Sequence, residues 1–183
     1  AKKDDKYGII DSKGNIKVYI EYDEIGIDNT KFEKNNIKNK YLLDNGMIPA
    51  KKDKYWGAFD KNGKTVLNFE YDSFGYTATS NREAINLLII PDYNLMVVCQ
   101  NKKYALVSST GDMVIRPVLD DAYMTISSGK KYYYMNVGDR KIDIIEFLDE
   151  QSPNITKNSS NETNNNTTSE NKSEENTSTE TNN

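Results

Sequence analysis

Acidic side chains are the residues of this chain best suited to chemistry, because Asp and Glu number 28 among 183 residues. Paired carboxylates such as Asp120 with Asp121, or Glu21 with Asp23, are the groups that glycosidases use for acid and base catalysis. These pairs fall where short strands end and turns begin, and a short acidic side chain at that place commonly caps a turn. We therefore interpret them as structural and expect neither enzyme activity nor catalytic residues.

Nucleophilic and metal chemistry has few residues to draw on. The sequence contains no histidine and a single cysteine, Cys99, so it lacks a Cys–His pair, a zinc set of Cys and His ligands, and the usual general base. The segment Asp60-Lys61-Asn62-Gly63 is unlike a calcium loop, since it lacks the alternating acids and the distal glutamate. We predict no metal and no cofactor.

The charge distribution does not favour nucleic acid or a membrane as a partner. Residues 151–183 carry five acids and two lysines, which leaves residues 1–150 almost neutral within a net charge of −4. Such a body has no basic patch for phosphates, and no apolar run is long enough to cross a bilayer. Residues 151–183 are almost entirely Asn, Ser, Thr and Glu, a composition that predicts a disordered tail or linker.

The elements that position these side chains come from an internal repeat. Four features recur at offsets of 49 and then 48 residues: an aromatic residue, a small residue directly after it, a turn glycine six positions later, and a closing aspartate. The aromatic and small residues are Tyr7-Gly8, Trp56-Gly57 and Tyr104-Ala105; the turn glycines are Gly14, Gly63 and Gly111; the closing residues are Tyr22-Asp23, Tyr71-Asp72 and Leu119-Asp120. We interpret all of these residues as structural positions of the repeated unit.

The repeat divides the chain into units of about 1–41, 42–89 and 90–125, followed by a degenerate closing unit at 126–150. Because Ala1 aligns with Ala50 in the middle of a unit, we expect the first unit to lack its leading part. The chain is therefore expected to belong to a longer protein.

Each unit predicts about four short strands. In the second unit these are Leu42–Asp44, Met47–Lys51, Tyr55–Phe59 and Thr65–Leu67, with a hairpin loop whose glycine, Gly63, needs a positive φ. Helical signals are scarce. The fold class is all-β: a tandem repeat array of short antiparallel strands and hairpins. We expect the units to form an open stack that does not close into a ring, with a propeller fragment as the alternative.

The aromatic position has two interpretations. Trp56, with Tyr7 and Tyr104 at the same position, is expected to stack in the core, where its ring lies across the glycine of its own or the next unit. The alternative is an exposed platform for a sugar or a peptide.

The stretch from Lys54 to Lys64, continued by Phe69-Glu70-Tyr71-Asp72, resembles the WG repeat of bacterial proteins, in which Trp-Gly, a hairpin glycine and a terminal Tyr-Asp recur. The resemblance covers residues 1 to about 125, with tyrosine in place of tryptophan in the first unit and neither Trp nor Gly in the third. It implies a non-catalytic β repeat of secreted, envelope or multidomain proteins. The resulting expectation is a binding or scaffold module, secreted or at the cell surface, that recognises a protein partner.

A second resemblance concerns Gly129-Lys130-Lys131-Tyr132-Tyr133-Tyr134, which is similar to the cell-wall-binding repeats of Gram-positive surface proteins. It implies that Tyr132, Tyr133 and Tyr134 contact a glycan, and a cell-wall glycan-binding module is the alternative function. Adjacent tyrosines are also typical of any half-buried strand. A fragment of a carbohydrate-active enzyme is the remotest alternative.

Overall fold

Four antiparallel sheets follow one another along the chain in the computed structural model, which describes residues 1–35, 39–78 and 83–151. The first sheet contains β1 (Lys2–Lys3), β2 (Lys6–Ile10) and β3 (Ile16–Tyr22). The second contains β4 (Glu24–Ile25), β5 (Ile48–Lys52), β6 (Tyr55–Phe59) and β7 (Thr65–Tyr71). The third contains β8 (Ser73–Phe74), β9 (Ile89–Ile90), β10 (Leu95–Gln100), β11 (Lys103–Val107) and β12 (Met113–Leu119). The fourth contains β13 (Asp121–Ser127), β14 (Lys130–Val137) and β15 (Arg140–Asp143).

Every sheet after the first begins with a strand from the preceding unit. β4 directly follows the closing aspartate of the first unit and pairs with β5 of the second. β8 pairs with β10 in the same way, and β13 pairs with β14. The first and fourth sheets do not pair within the described residues, so the expected open array of small antiparallel sheets is confirmed.

The prediction of a strand at Leu42–Asp44 is wrong. The Leu43 amide donates to the Met47 carbonyl oxygen at 2.8 Å, and Gly46 has a φ of 82°, so the chain turns tightly here. Both Leu43 and Met47 are buried, which explains why the segment looks apolar enough for a strand. The fourth strand of the second sheet is instead β4, from the unit before.

Apolar side chains are buried at each junction between consecutive sheets. Val18 and Tyr22 of the first unit pack with Ala50 and Phe59 of the second. A larger cluster joins the second and third sheets and includes Leu67. A third cluster lies between the third and fourth sheets. Each unit therefore covers its apolar face with the next one, as in other repeat proteins.

Three helical segments were not expected. α1 (Ile144–Gln151) follows the fourth sheet and buries Ile144 and Leu148, while short 3-10 helices lie at Asn29–Asn35 and at Pro91–Tyr93. The Asp143 carboxylate accepts hydrogen bonds from the amides of Ile145 (2.9 Å) and Glu146 (3.2 Å), which is a helix N-cap. Of the tail predicted at 151–183, Gln151 is the last residue of α1, and residues 152–183 lie outside the described residues. None of the described helices is long and apolar enough to span a membrane.

Candidate functional site

The turn glycine closes the same five-residue loop in all three units. Gly14, Gly63 and Gly111 have φ values of 88°, 87° and 91°, so the positive φ expected at Gly63 is confirmed. In the second unit, the Asp60 carboxylate accepts the amides of Asn62 (2.8 Å) and Lys64 (2.9 Å). These hydrogen bonds, led by the one from Lys64, lower the pKa of Asp60. The Asp60 side chain therefore stabilises the turn.

The turn glycines of the second and third units, Gly63 and Gly111, also lie against the third strand of the preceding unit. A Cβ atom on Gly63 would be 2.5 Å from the Lys17 carbonyl oxygen, and one on Gly111 would be 2.0 Å from the Val66 carbonyl oxygen. Lys17 and Val66 occupy the same position in successive units. Glycine is thus required both for the turn and for the close approach of two units.

The small residue after the aromatic lies beneath a bulge. Between the Trp56–Tyr71 and Ala58–Leu67 pairs, β7 has two more residues than β6, and the same irregularity occurs in the first and third sheets. A Cβ atom on Gly57 would be 2.8 Å from the ring of Phe69. The ring across this glycine is therefore that of Phe69 and not of Trp56.

The closing aspartate links each unit to the next. Asp23 accepts a hydrogen bond from the Asp53 amide at 2.6 Å, and Asp72 accepts one from the Lys102 amide at 3.2 Å. Asp120 likewise accepts one from the Gly138 amide at 2.7 Å. In each case the donor lies in the turn that joins the first two strands of the next hairpin. We call these three contacts the aspartate caps.

Lysines of the same unit strengthen two of the aspartate caps. The Lys6 ammonium lies 2.6 Å from the Asp23 carboxylate, and Lys103 donates to Asp120. These hydrogen bonds are the main cause of the lowered pKa of both carboxyls. Tyr55 stands at the equivalent position in the second unit, so Asp72 lacks this partner.

The repeated aromatics line clefts between consecutive sheets. Trp56 and Tyr104 border a cleft of about 550 Å³ between the second and third sheets. Lys51 lies 5.8 Å from the centre of the Trp56 ring and 3.1 Å from the Glu24 carboxylate of the preceding unit. Phe74, whose ring centre is 5.8 Å from that of Trp56, forms the floor. We name this space the Trp56 cleft.

A second cleft of about 500 Å³ contains Tyr7, the residue equivalent to Trp56. Lys2 lies 5.4 Å from the Tyr7 ring centre, just as Lys51 lies over Trp56. In the third unit Tyr104 meets Tyr76 edge to face, with ring centres 5.2 Å apart. Burial raises the pKa of the Tyr104 hydroxyl. A half-buried aromatic beside a cleft is therefore a repeated feature.

The three adjacent tyrosines point to alternate faces of β14. Tyr133 is buried, Tyr132 is 37 % exposed, and Tyr134 packs against Tyr123 with ring centres 5.9 Å apart. Lys141 covers Tyr134 at 3.7 Å from its ring centre. Only Tyr132 of the three is thus open enough for a flat contact with a ligand.

The acids considered for catalysis have structural partners. Glu21 pairs with Lys52 at 3.0 Å, and Asp121 accepts a hydrogen bond from Asn136 at 3.1 Å. Burial raises the pKa of the Cys99 thiol, which disfavours the reactive thiolate. Within the described residues, no three Asp, Glu or Cys side chains come together as metal ligands.

The polar rim of the Trp56 cleft was missed by sequence reasoning. Glu24, Asp28 and Thr77 come from segments outside the repeated motif, and the fold alone brings them beside Trp56. Lys51 directly precedes a turn in the sequence and gives no signal of its contact with the indole.

Comparison with known proteins supports the repeat. Residues 7–29 and 56–80 match a protein-family model described as WG containing repeat. The two matches start at the aromatic positions Tyr7 and Trp56 and run past the closing aspartates. Comparison with curated proteins and with solved structures gives no match. The resemblance inferred from the sequence is therefore confirmed in the first two units: the chain contains WG repeats at residues 7–29 and 56–80, and the third unit, at 90–125, is not matched.

Proposed function

We propose that this protein is a non-catalytic binding module that recognises a protein partner through the clefts between its units. The observation that carries the proposal is the Trp56 cleft, which the single tryptophan lines with a side chain that is only partly buried. Tryptophan and tyrosine in concave, partly desolvated positions are the usual anchors of protein recognition. Six of the twelve residues that line this cleft, Trp56 and Tyr104 among them, lie on strands, so this part of the wall is ordered before a partner binds.

The chemistry of the cleft suits an extended segment with an apolar side chain. Phe32, Phe74 and Ile27 provide an apolar interior, while Glu24 and Lys51 form an ion pair at the rim. A partner's apolar side chain would fill the interior, and its backbone would meet the polar rim. The equivalent cleft beside Tyr7 suits a second anchor on the same partner.

Selection of peptides on the full chain tests this proposal. A displayed library is enriched on the wild-type protein, and the selected peptides are titrated while Trp56 fluorescence is recorded. We expect saturable binding that changes the emission and weakens at least tenfold in Thr77→Arg, which places a large cation in the cleft. Asn68→Arg is the matched control, because Asn68 is exposed on β7 and lies outside the cleft. Peptides that bind wild type and Thr77→Arg equally would contradict the proposal.

A cell-wall glycan is the second candidate ligand, favoured by the exposed ring of Tyr132 beside Lys131. Aromatic rings stack on sugar faces, and the carboxylates that lie around Tyr132, such as Glu146 and Glu150, can accept hydrogen bonds from sugar hydroxyls. Incubation with purified cell walls tests this function. Retention that falls in Tyr132→Ala would support a glycan, whereas equal retention of both proteins would argue against this surface.

The location is also a proposal. A secreted or cell-surface position in a bacterium is supported only by the resemblance to repeats that occur in such proteins. Fractionation of the producing bacterium with an antibody to this chain tests it. Recovery in the cytoplasmic fraction alone would contradict it.

A further inference from the structure

The outer face of the first sheet is uncovered where the matching faces of the next two sheets are covered. Ile10, Phe59 and Val107 occupy the same position in the second strand of each hairpin, and they are 45 %, 2 % and 0 % exposed. Phe59 is covered by the preceding unit, because its ring meets Tyr22 edge to face with centres 5.2 Å apart. Ile10 has an apolar side chain in the same place without that cover.

The turn glycines show the same difference. Gly63 and Gly111 each lie against the third strand of the preceding unit. A Cβ atom added to either glycine would lie within 2.5 Å of a carbonyl oxygen of that strand. Gly14 has the same positive φ but no heavy atom within 4 Å of that place. The turn of the first unit therefore has the backbone conformation that lets a neighbouring strand approach closely, but no strand lies against it among the described residues.

The aspartate caps give a third, independent comparison. The turns at Asp53, Lys102 and Gly138 each donate an amide to the closing aspartate of the preceding unit. The first hairpin turns at Asp4 and Asp5, which have φ values of 47° and 58°. Within the described residues, no aspartate side chain accepts a hydrogen bond from the Asp4 amide, the equivalent of Asp53.

We propose that the outer face of the first sheet is an acceptor surface for the third and closing strands of another WG unit. One such segment supplies every missing contact at once, as Ile16 to Ile25 does for the second sheet. Its aromatic residue covers Ile10, its backbone receives the Gly14 turn, and its aspartate caps the turn at Asp4.

A second copy of this chain has no free segment of that kind in its described residues. Its closing strands β4, β8 and β13 are already paired within the chain. The occupant is therefore a WG unit whose own closing strand is unpaired.

A tandem chain tests the proposal. A copy of residues 1–49 is placed directly before Ala1, so that its last residue precedes Ala1 as Pro49 precedes Ala50. Ile10→Asp is then introduced in the original part of the tandem chain and in the present chain. We expect a drop of several degrees in Tm only in the tandem chain, where Ile10 is covered. Tyr19→Asp is the matched control, because Tyr19 and its equivalent Asn68 are both exposed, and it should leave both Tm values unchanged.

Hydrogen exchange gives a second readout that does not depend on the stability of a variant. The amide of Asp4 in the original part should exchange at least tenfold more slowly in the tandem chain than in the present chain. Asp23→Ala in the added copy should remove that slowing. Unchanged exchange at Asp4, or an equal effect of Ile10→Asp in both chains, would overturn the proposal.

Discussion

The residue that distinguishes this chain most visibly, Trp56, is only half-buried, because one side of its ring borders a cleft. Its ring also packs against Phe74 of the third sheet, with ring centres 5.8 Å apart. Trp56 packs against the buried cluster that joins the second and third sheets, as expected for a core residue, and whether it also serves as a platform for a ligand stays a prediction.

Trp56→Ala should lower the free energy of unfolding by about 2 kcal/mol, roughly half of what a fully buried tryptophan loses. Trp56→Tyr should cost less than about 1 kcal/mol, because tyrosine occupies this position in the first and third units. Urea unfolding measures both values. A loss below about 0.5 kcal/mol in Trp56→Ala would show that the indole contributes nothing to the core.

The aspartate caps make stability depend on pH. Hydrogen bonds from Lys6 to Asp23 and from Lys103 to Asp120 lower the pKa of both carboxyls in the folded chain. A carboxyl of this kind stabilises the fold above its unfolded pKa, near 4, and loses that contribution as the pH falls through the folded pKa. The urea midpoint should therefore decrease between about pH 5 and pH 2.

The double variant Asp23→Asn with Asp120→Asn should show a shallower decrease, because its caps do not titrate. Asp44→Asn, at an exposed position outside the caps, should keep the wild-type profile. Identical profiles for the double variant and the wild type would mean that the caps do not couple protonation to folding.

The hairpin is the element that the sequence predicts best, since its signals are local. An aspartate followed three positions later by glycine defines the loop in the first two units, and β-branched residues flank it. The pairing of β4 with β5 is not local: β4 has two residues and no strand pattern, and its partner lies more than twenty positions away. The error at Leu42–Asp44 has the same origin, because buried apolar residues in a turn imitate a strand.

The helix α1 and the Trp56 cleft were missed for different reasons. Asp143 and Glu146 form a recognisable capping pattern, so α1 was visible in the sequence but was interpreted as a decayed repeat. The cleft, in contrast, is built by residues from three distant segments, such as Glu24, Lys51 and Thr77. No spacing rule brings these together before the fold is known.

Glycine substitutions separate turn strain from contact between units. Gly14→Ala should cost about 1–2 kcal/mol, the strain of a non-glycine residue at positive φ. Gly63→Ala should cost clearly more, since its Cβ would lie 2.5 Å from the Lys17 carbonyl oxygen, and Gly111→Ala should cost at least as much. Urea unfolding of the three variants measures the order. Equal losses would indicate that the units do not approach each other at these turns.

At the scale of the whole molecule, the boundaries of the sequence units do not coincide with the boundaries of the sheets. In each unit the closing aspartate is followed by a short strand, and both contact the sheet that follows. Each junction thereby gains backbone pairing, a capped turn and a buried apolar cluster. The clefts proposed as binding surfaces lie at these same junctions. Their geometry therefore depends on the pairing of each short strand with the sheet of the next unit.

Amide hydrogen exchange at the junctions tests this strand pairing between units most directly. The amides of Asp23 and Gly26 donate to the carbonyl oxygens of Lys51 and Pro49, at 2.9 and 2.7 Å, across the boundary between the first two units. We expect both amides to be protected nearly as strongly as the central amides of β6, because opening them requires separation of the two sheets. Exchange of Asp23 and Gly26 at the rate of an unstructured peptide, with β6 still protected, would show that each unit folds alone and would contradict the account.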